Sequence, residues 1–249
     1  MKIFAVGIGP GDLELLTPQA RRVLEMCTAV VGYKPYLEQI APLLEGKKVI
    51  SGVMRQEVER CRLALEEALA GEVVSVVSSG DSGVYGMAGL LLELTGEARY
   101  AEIEVEVIPG ITAATACASL VGAPFMNDFA VVSLSDLLTP PEVVRKRLRA
   151  LAAADMPVAL YNPATKQRRA MLDFAIAEFR RAGGEDLPCA VISDAFRPVR
   201  KITVTVLKDF PFDEVKMTSL VILGSSRTVL REGKMFNLRG YGEKYGVGQ

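Results

Sequence analysis

Residues 73–86 read VVSVVSSGDSGVYG. The run from Val73 to Val77 is apolar and β-branched but for Ser75, and small residues follow it from Ser78 to Gly83. A short, nearly continuous apolar run bounded by turn-forming residues reads as a strand buried on both faces. Val84–Leu94 then carries a helical pattern. The small-residue cluster therefore falls at the carboxyl end of a buried strand, where open parallel sheets place their ligands. Small side chains there let a ligand approach the backbone. Asp81 has two readings, an N-cap for the next helix or a carboxylate facing a ligand's charge or hydroxyls.

The alternation continues outward from this stretch. On the N-terminal side, Ile3–Ile8, Ala29–Val31 and Lys48–Ile50 read as strands, Thr17–Cys27 and Arg55–Ala70 as helices. On the C-terminal side, Val105–Ile108 is a strand ending at Pro109-Gly110. A second series follows: helices at Thr112–Val121, Pro141–Ala153 and Gln167–Arg181, and strands at Phe129–Leu134, Val158–Tyr161, Ala190–Ser193, Ile202–Val206 and Leu220–Leu223. Prolines open the second of these helices, Gly183-Gly184 closes the third, and the strands flanking Arg197-Pro198 form a hairpin. The expectation is an α/β protein of two domains, residues 1–111 and 112–249. Their sheets are mostly parallel or mixed and flanked by helices, with an active-site cleft between the domains.

Composition narrows the chemistry. The 249 residues include 30 acidic and 29 basic side chains, a net charge of −1, and no histidine. Balanced charge gives no global attraction for nucleic acid, so none is expected as a partner. Without histidine there is no imidazole zinc ligand, triad or proton shuttle, and no metal site is expected. Cys27, Cys61, Cys117 and Cys189 stand far apart in apolar or helical contexts and read as buried free thiols of a reducing cytosol. The apolar run after Lys2 is broken at Gly9-Pro10-Gly11-Asp12, too early for an export signal. No apolar stretch has the length of a membrane span, and a cytoplasmic chain without membrane association is expected.

Two further glycine clusters deserve comparison with known loops. Gly7-Ile8-Gly9-Pro10-Gly11-Asp12 follows the first strand, but its third glycine comes two positions after the second instead of three. No acidic residue ends the Val31-Gly32-Tyr33 strand, which weakens a dinucleotide reading. Gly46-Lys47 precedes Lys48, not Ser or Thr, and is not a phosphate loop. Pro109-Gly110-Ile111-Thr112-Ala113-Ala114 lies at the junction of the halves, with Thr112 either a helix N-cap or a ligand partner.

Together, GIGPGD after the first strand, SSGDSGVYG near residue 80 and PGITAA near residue 110 resemble the tetrapyrrole methylase family over essentially the whole chain. Longer stretches resemble a branch of that family in cobalamin biosynthesis: Gly32–Tyr36, Met54–Glu57, Gly122–Pro124 with Asp128-Phe129, Ser133–Pro140 and Tyr161-Asn162-Pro163. The resemblance implies S-adenosylmethionine as cofactor, leaving as S-adenosylhomocysteine, a tetrapyrrole substrate and a homodimer. It carries cofactor contacts onto Pro10, Ser79, Gly80, Asp81, Val84, Thr112, Ala113, Asn162 and Ala195. Methyl transfer asks mainly for in-line positioning, which a chain without histidine can supply.

The branch also contracts the macrocycle, a rearrangement served by removal of a substrate hydroxyl proton. Asp128, Asp136, Ser133 and Ser135 are the candidates, with helix capping by Asp136 and strand termination by the serines as plainer alternatives. The resemblance implies histidine before Asp128-Phe129, where this chain has Asn127. Acidic groups of the substrate call for cations, for which Lys34, Arg55, Lys166, Arg168 and Arg197 are candidates. Methylation at another tetrapyrrole carbon, or cofactor binding without catalysis, are the rival readings.

Overall fold

Strand β1 (Lys2–Gly7) shows why the first half folds as it does. Its side chains alternate between two cores, Ile3 and Ala5 in one and Phe4 and Val6 in the other. A strand buried on both faces needs a helical layer over each. Helices α3 (Glu57–Leu69) and α4 (Ala88–Leu94) cover one face with Cys61, Leu65 and Leu91. On the other face lie α1 (Pro18–Met26), with Ala20, Val23 and Leu24, and α2 (Lys34–Gln39), with Leu37. The computed structural model describes residues 1–53, 56–163 and 169–246. It divides into two units, Met1–Ala113 and Ala114–Gln249.

The first unit's sheet joins β1 to β2 (Ala29–Tyr33), β3 (Lys48–Gly52), β4 (Val74–Ser78) and β5 (Glu104–Ile108) in the order β3-β2-β4-β1-β5. Every pairing is parallel. All five carboxyl ends therefore point the same way, and the loops after β4, β1 and β5 leave the sheet side by side.

The second unit contains α5 (Ala113–Val121, beginning at the boundary), β6 (Gly122–Ala123), β7 (Ala130–Ser133), α6 (Pro141–Ala153), β8 (Val158–Tyr161), α7 (Ala170–Gly183) and β9 (Pro188–Ser193). β10 (Lys201–Val206), β11 (Ser219–Leu223), β12 (Thr228–Arg231), β13 (Lys234–Asn237) and α8 (Tyr241–Tyr245) follow. One sheet runs β10-β9-β11-β8-β7, and a smaller one β12-β13-β6. In the larger, β7 and β8 are parallel, and β11 runs antiparallel to both β8 and β9. Its core is Leu148 of α6 and Leu172, Ile176 and Phe179 of α7 against Val158, Leu160, Val191 and Val221.

Several elements differ from the sequence expectation. The helix expected over Val84–Leu94 begins only at Ala88, because Tyr85 sits at φ +56° and cannot continue a right-handed helix. Met87, not Asp81, is its N-cap. Pro140, not Asp136, holds that position on α6. The helix expected over Gln167–Arg181 spans Ala170–Gly183 and ends at Gly184 (φ +88°). Helix α2 and the β12–β13 hairpin were not anticipated. The hairpin turns at Glu232-Gly233, both with positive φ, without the Asn-Gly or Asp-Gly pair that usually announces such a turn. Among the described residues, no helix is long and apolar enough to cross a membrane.

All four thiols are buried and free. Burial pushes Cys61 up to about 11, and Cys117 and Cys189 up to about 12, from an ordinary 9.0. A thiol harder to ionise in the folded state than in the unfolded one contributes stability that is complete below pH 9 and is lost as pH rises toward the folded values. We expect the native protein to resist thiol reagents at pH 8 until unfolded, and urea-unfolding stability to fall between pH 8.5 and 11 (roughly the span of these values). Rapid native labelling of Cys117 or Cys189 would contradict this burial.

Candidate active site

The loops after β1, β4 and β5 meet backbone to backbone. Ile8 N donates to Ser78 O (2.9 Å), Gly9 N to Gly80 O (3.0 Å), and Gly80 N to Gly9 O (2.8 Å), an antiparallel bridge beyond the parallel strands. Gly110 brings the third loop into the same place. A Cβ on Gly110 would lie 2.1 Å from Gly80 O and 2.7 Å from Gly7 C; one on Gly7 would lie 2.7 Å from Gly80 O and Gly110 N. No side chain fits at Gly7 or Gly110.

Asp81 fixes the junction. Its Oδ1 accepts from Gly83 N (2.8 Å) and its Oδ2 from Gly110 N (2.9 Å), so one carboxylate ties the β4 loop to the β5 loop. Ser82 is fully buried, and its hydroxyl donates to Ala5 O inside β1 (2.9 Å). Thr17 caps α1 by accepting from Ala20 N and donates to Pro109 O (3.2 Å). Pro10, Ser79, Gly80, Asp81, Val84, Thr112 and Ala113 thus all belong to one cluster of loops at the carboxyl edge. Sequence reading missed Gly7, Gly110, Ser82 and Thr17 as its braces. The helix-cap pattern at Thr17 was legible, but its bond to Pro109 was not.

In the second unit, the carboxyl ends of β7, β8 and β9 share one end of the larger sheet. Asn162 Nδ2 donates to Ser133 Oγ (3.0 Å), and Ser135 N donates to the same oxygen (3.2 Å). With both lone pairs accepting, the Ser133 hydroxyl is left as a proton donor and is poorly suited to take a proton. The Tyr161 hydroxyl oxygen accepts from Ala114 N (2.7 Å). Asn162, Asp194 and Phe196 all have positive φ (51°, 52° and 57°). Such backbone is tolerable for Asn and Asp but strained for Phe, and strain of this kind concentrates at ligand sites. Ala195 lies in that turn, and Arg197 ion-pairs with Asp194 (3.8 Å).

Asp136 lies in the exposed loop after β7, on the Ser133 side. Asp128 precedes β7, at the opposite end of that strand, and is not brought to Ser133 or Asn162. Asn127 donates from Nδ2 to Leu238 O (3.2 Å), a structural contact with no proton to exchange. Lys34 is exposed at the start of α2. Arg55, Lys166 and Arg168 lie outside the described residues.

The model of the tetrapyrrole (corrin/porphyrin) methylases matches residues 2–211. The chain belongs to this family of S-adenosylmethionine-dependent methyltransferases. It is 43% identical over 236 residues to a probable cobalt-factor III C(17)-methyltransferase of Salmonella typhimurium, covering 95% of this chain and 98% of that protein. It is also 43% identical over 249 residues to the cobalamin biosynthesis protein CbiHC of Archaeoglobus fulgidus, covering all of this chain but 54% of that one. The chain thus spans about half the length of some of the curated relatives it matches.

Among solved structures, the methyltransferase CobJ aligns with TM-score 0.89 at 35% identity, over 95% of this chain and 99% of that one. A uroporphyrin-III C-methyltransferase of Thermus thermophilus, in complex with S-adenosylhomocysteine, aligns with TM-score 0.71 at 26% identity, over 90% and 97%.

Two variants test the loop junction. Asp81→Ala should lower stability by about 1.5–3 kcal/mol in urea unfolding without any cofactor, since it releases two amides from a charged acceptor. Gly110→Ala should cost at least about 1–3 kcal/mol, because the clash is with backbone. Wild-type stability in both would show that the three loops do not depend on this contact.

Proposed function

We propose that the chain methylates C-17 of precorrin-3B or cobalt-factor III, using S-adenosylmethionine, with contraction of the macrocycle, in cobalamin biosynthesis. The observation that carries the reading is the junction of the β1, β4 and β5 loops, in a chain whose Salmonella relative bears the name of that activity. When bound, the cofactor supplies an electrophilic methyl group. The loops of the first unit suit it because they offer small residues and backbone groups for close approach, with Pro10, Ser79, Gly80, Val84, Thr112 and Ala113 as contacts. Asp81 holds this surface in shape and retains lone pairs for a ligand hydroxyl or ammonium. In the second unit, Asn162 and Ala195 are the proposed contacts.

The chain's part in methyl transfer is orientation, which alone accounts for large rate effects. Ring contraction also needs a proton taken from a substrate hydroxyl. We assign this to Asp136, which shares a sheet end with Ser133 and Asn162; Ser133, with Ser135 beside it, donates a hydrogen bond to substrate. Lys34, Arg197 and the undescribed Arg55, Lys166 and Arg168 are proposed to receive the substrate's acidic groups. The resemblance supports a homodimer, and the buried free thiols support a reducing cytoplasm.

Incubation with labelled S-adenosylmethionine and each of the two tetrapyrroles, followed by mass and spectroscopic analysis, should give one methyl transferred per turnover and a contracted ring. No transfer to either would remove the assignment. Asp136→Asn should retain methyl transfer and lose contraction by about 10²-fold or more, the usual contribution of a positioned base. Loss of contraction in Asp128→Asn but not in Asp136→Asn would reverse the assignment of the base.

A further inference from the structure

Arg60 is a cation that the first unit buries without neutralising. It lies on the inner face of α3, one turn before Ala64, and is 5% exposed. Its Nη1 donates to Val53 O (3.0 Å), just past β3, and its Nη2 lies 3.9 Å from Met87 Sδ, just before α4. Its Nε is buried and has no partner. Among the described residues no carboxylate forms an ion pair with it.

Position makes this more than a packing detail. Val53 follows β3, Met87 belongs to the loop following β4, and β2 lies between these two strands. The guanidinium therefore reaches across the carboxyl end of β2, where Lys34 begins α2. Gly52 makes the crossing possible, since a Cβ there would meet Arg60 Nη1 at 3.0 Å. Nε and Nη2 share one edge of the guanidinium, where, among the described residues, Nε has no partner and Nη2 meets the sulfur of Met87. Two parallel N–H groups in this geometry match the two oxygens of a carboxylate. An unpaired buried charge is costly, and pairing it through two bonds offsets part of that cost.

We propose that Arg60 is the seat for one acidic side chain of the tetrapyrrole substrate, which displaces the Met87 sulfur and is taken bidentately through Nε and Nη2, with Lys34 as a second cation at the same edge. This rests on the proposed function. It divides the edge of one sheet between two ligands, the cofactor on the β4-β1-β5 loops and a substrate carboxylate over β2 and β3.

The test uses Arg60→Met and Arg60→Lys in the full chain. Dissociation constants for cobalt-factor III and for S-adenosylhomocysteine would be measured by titration, with Tm for each variant. Arg60→Met should keep or raise Tm, since it removes an uncompensated buried charge, and should bind S-adenosylhomocysteine within about twofold of wild type. Its affinity for the tetrapyrrole should fall about 10-fold or more, the size of a charge-assisted bidentate bond. Arg60→Lys, which keeps the charge but loses the fork, should fall between. Equal tetrapyrrole binding by wild type and Arg60→Met overturns the assignment alone. A fall in Tm and in both affinities together in the two variants overturns it in favour of a structural role. Failure of the wild type to bind the tetrapyrrole overturns the functional reading, and this assignment with it.

Discussion

Gly7 and Gly110 approach each other and the Gly80 carbonyl so closely that one added carbon at either glycine is excluded by backbone. That contact is the constraint on which the first unit's loop junction depends. Strand β1 lies between β4 and β5, so the three loops emerge as neighbours although Gly7, Gly80 and Gly110 stand far apart in the chain. Parallel strands put their loops at one edge; the absence of side chains lets those loops touch. Asp81 then converts proximity into fixed geometry by holding amides of two loops with one carboxylate. A surface made this way is preorganised before any ligand arrives, which is what a reaction governed by positioning requires.

The second unit solves a related problem by different means. Its larger sheet is mixed, and side chains rather than bare backbones join the loops at its carboxyl edge. The register that places Ser133 opposite Tyr161 brings Asn162 to the Ser133 hydroxyl. This fixes Ser133 as a donor. The chain has no histidine, and Asn127 makes a structural contact with Leu238.

Much of this was legible before any coordinates. The strand over 73–77 and the three glycine clusters follow from apolar runs punctuated by turn residues, which are local properties. Strand order is not local, and the mutual contact of Gly7, Gly80 and Gly110 depends on it. Tyr85 is another limit: its side chain fits a helical pattern, yet its left-handed backbone delays α4 to Ala88. Arg60 could have been found, since its spacing from Ala64 puts it on the face of α3 that buries Cys61 and Leu65. Charged residues on a helix are mostly exposed, so its burial is not announced by residue type.

The central claim is that the loop junction at the carboxyl edge of the first sheet receives the cofactor. Hydrogen–deuterium exchange with and without S-adenosylhomocysteine tests it most directly. The account predicts slowed exchange in peptides covering residues 8–12, 79–84 and 110–113, with residues 97–104, away from that edge, unchanged. Protection absent from all three loops at saturating ligand, or confined to other parts of the chain, would contradict it.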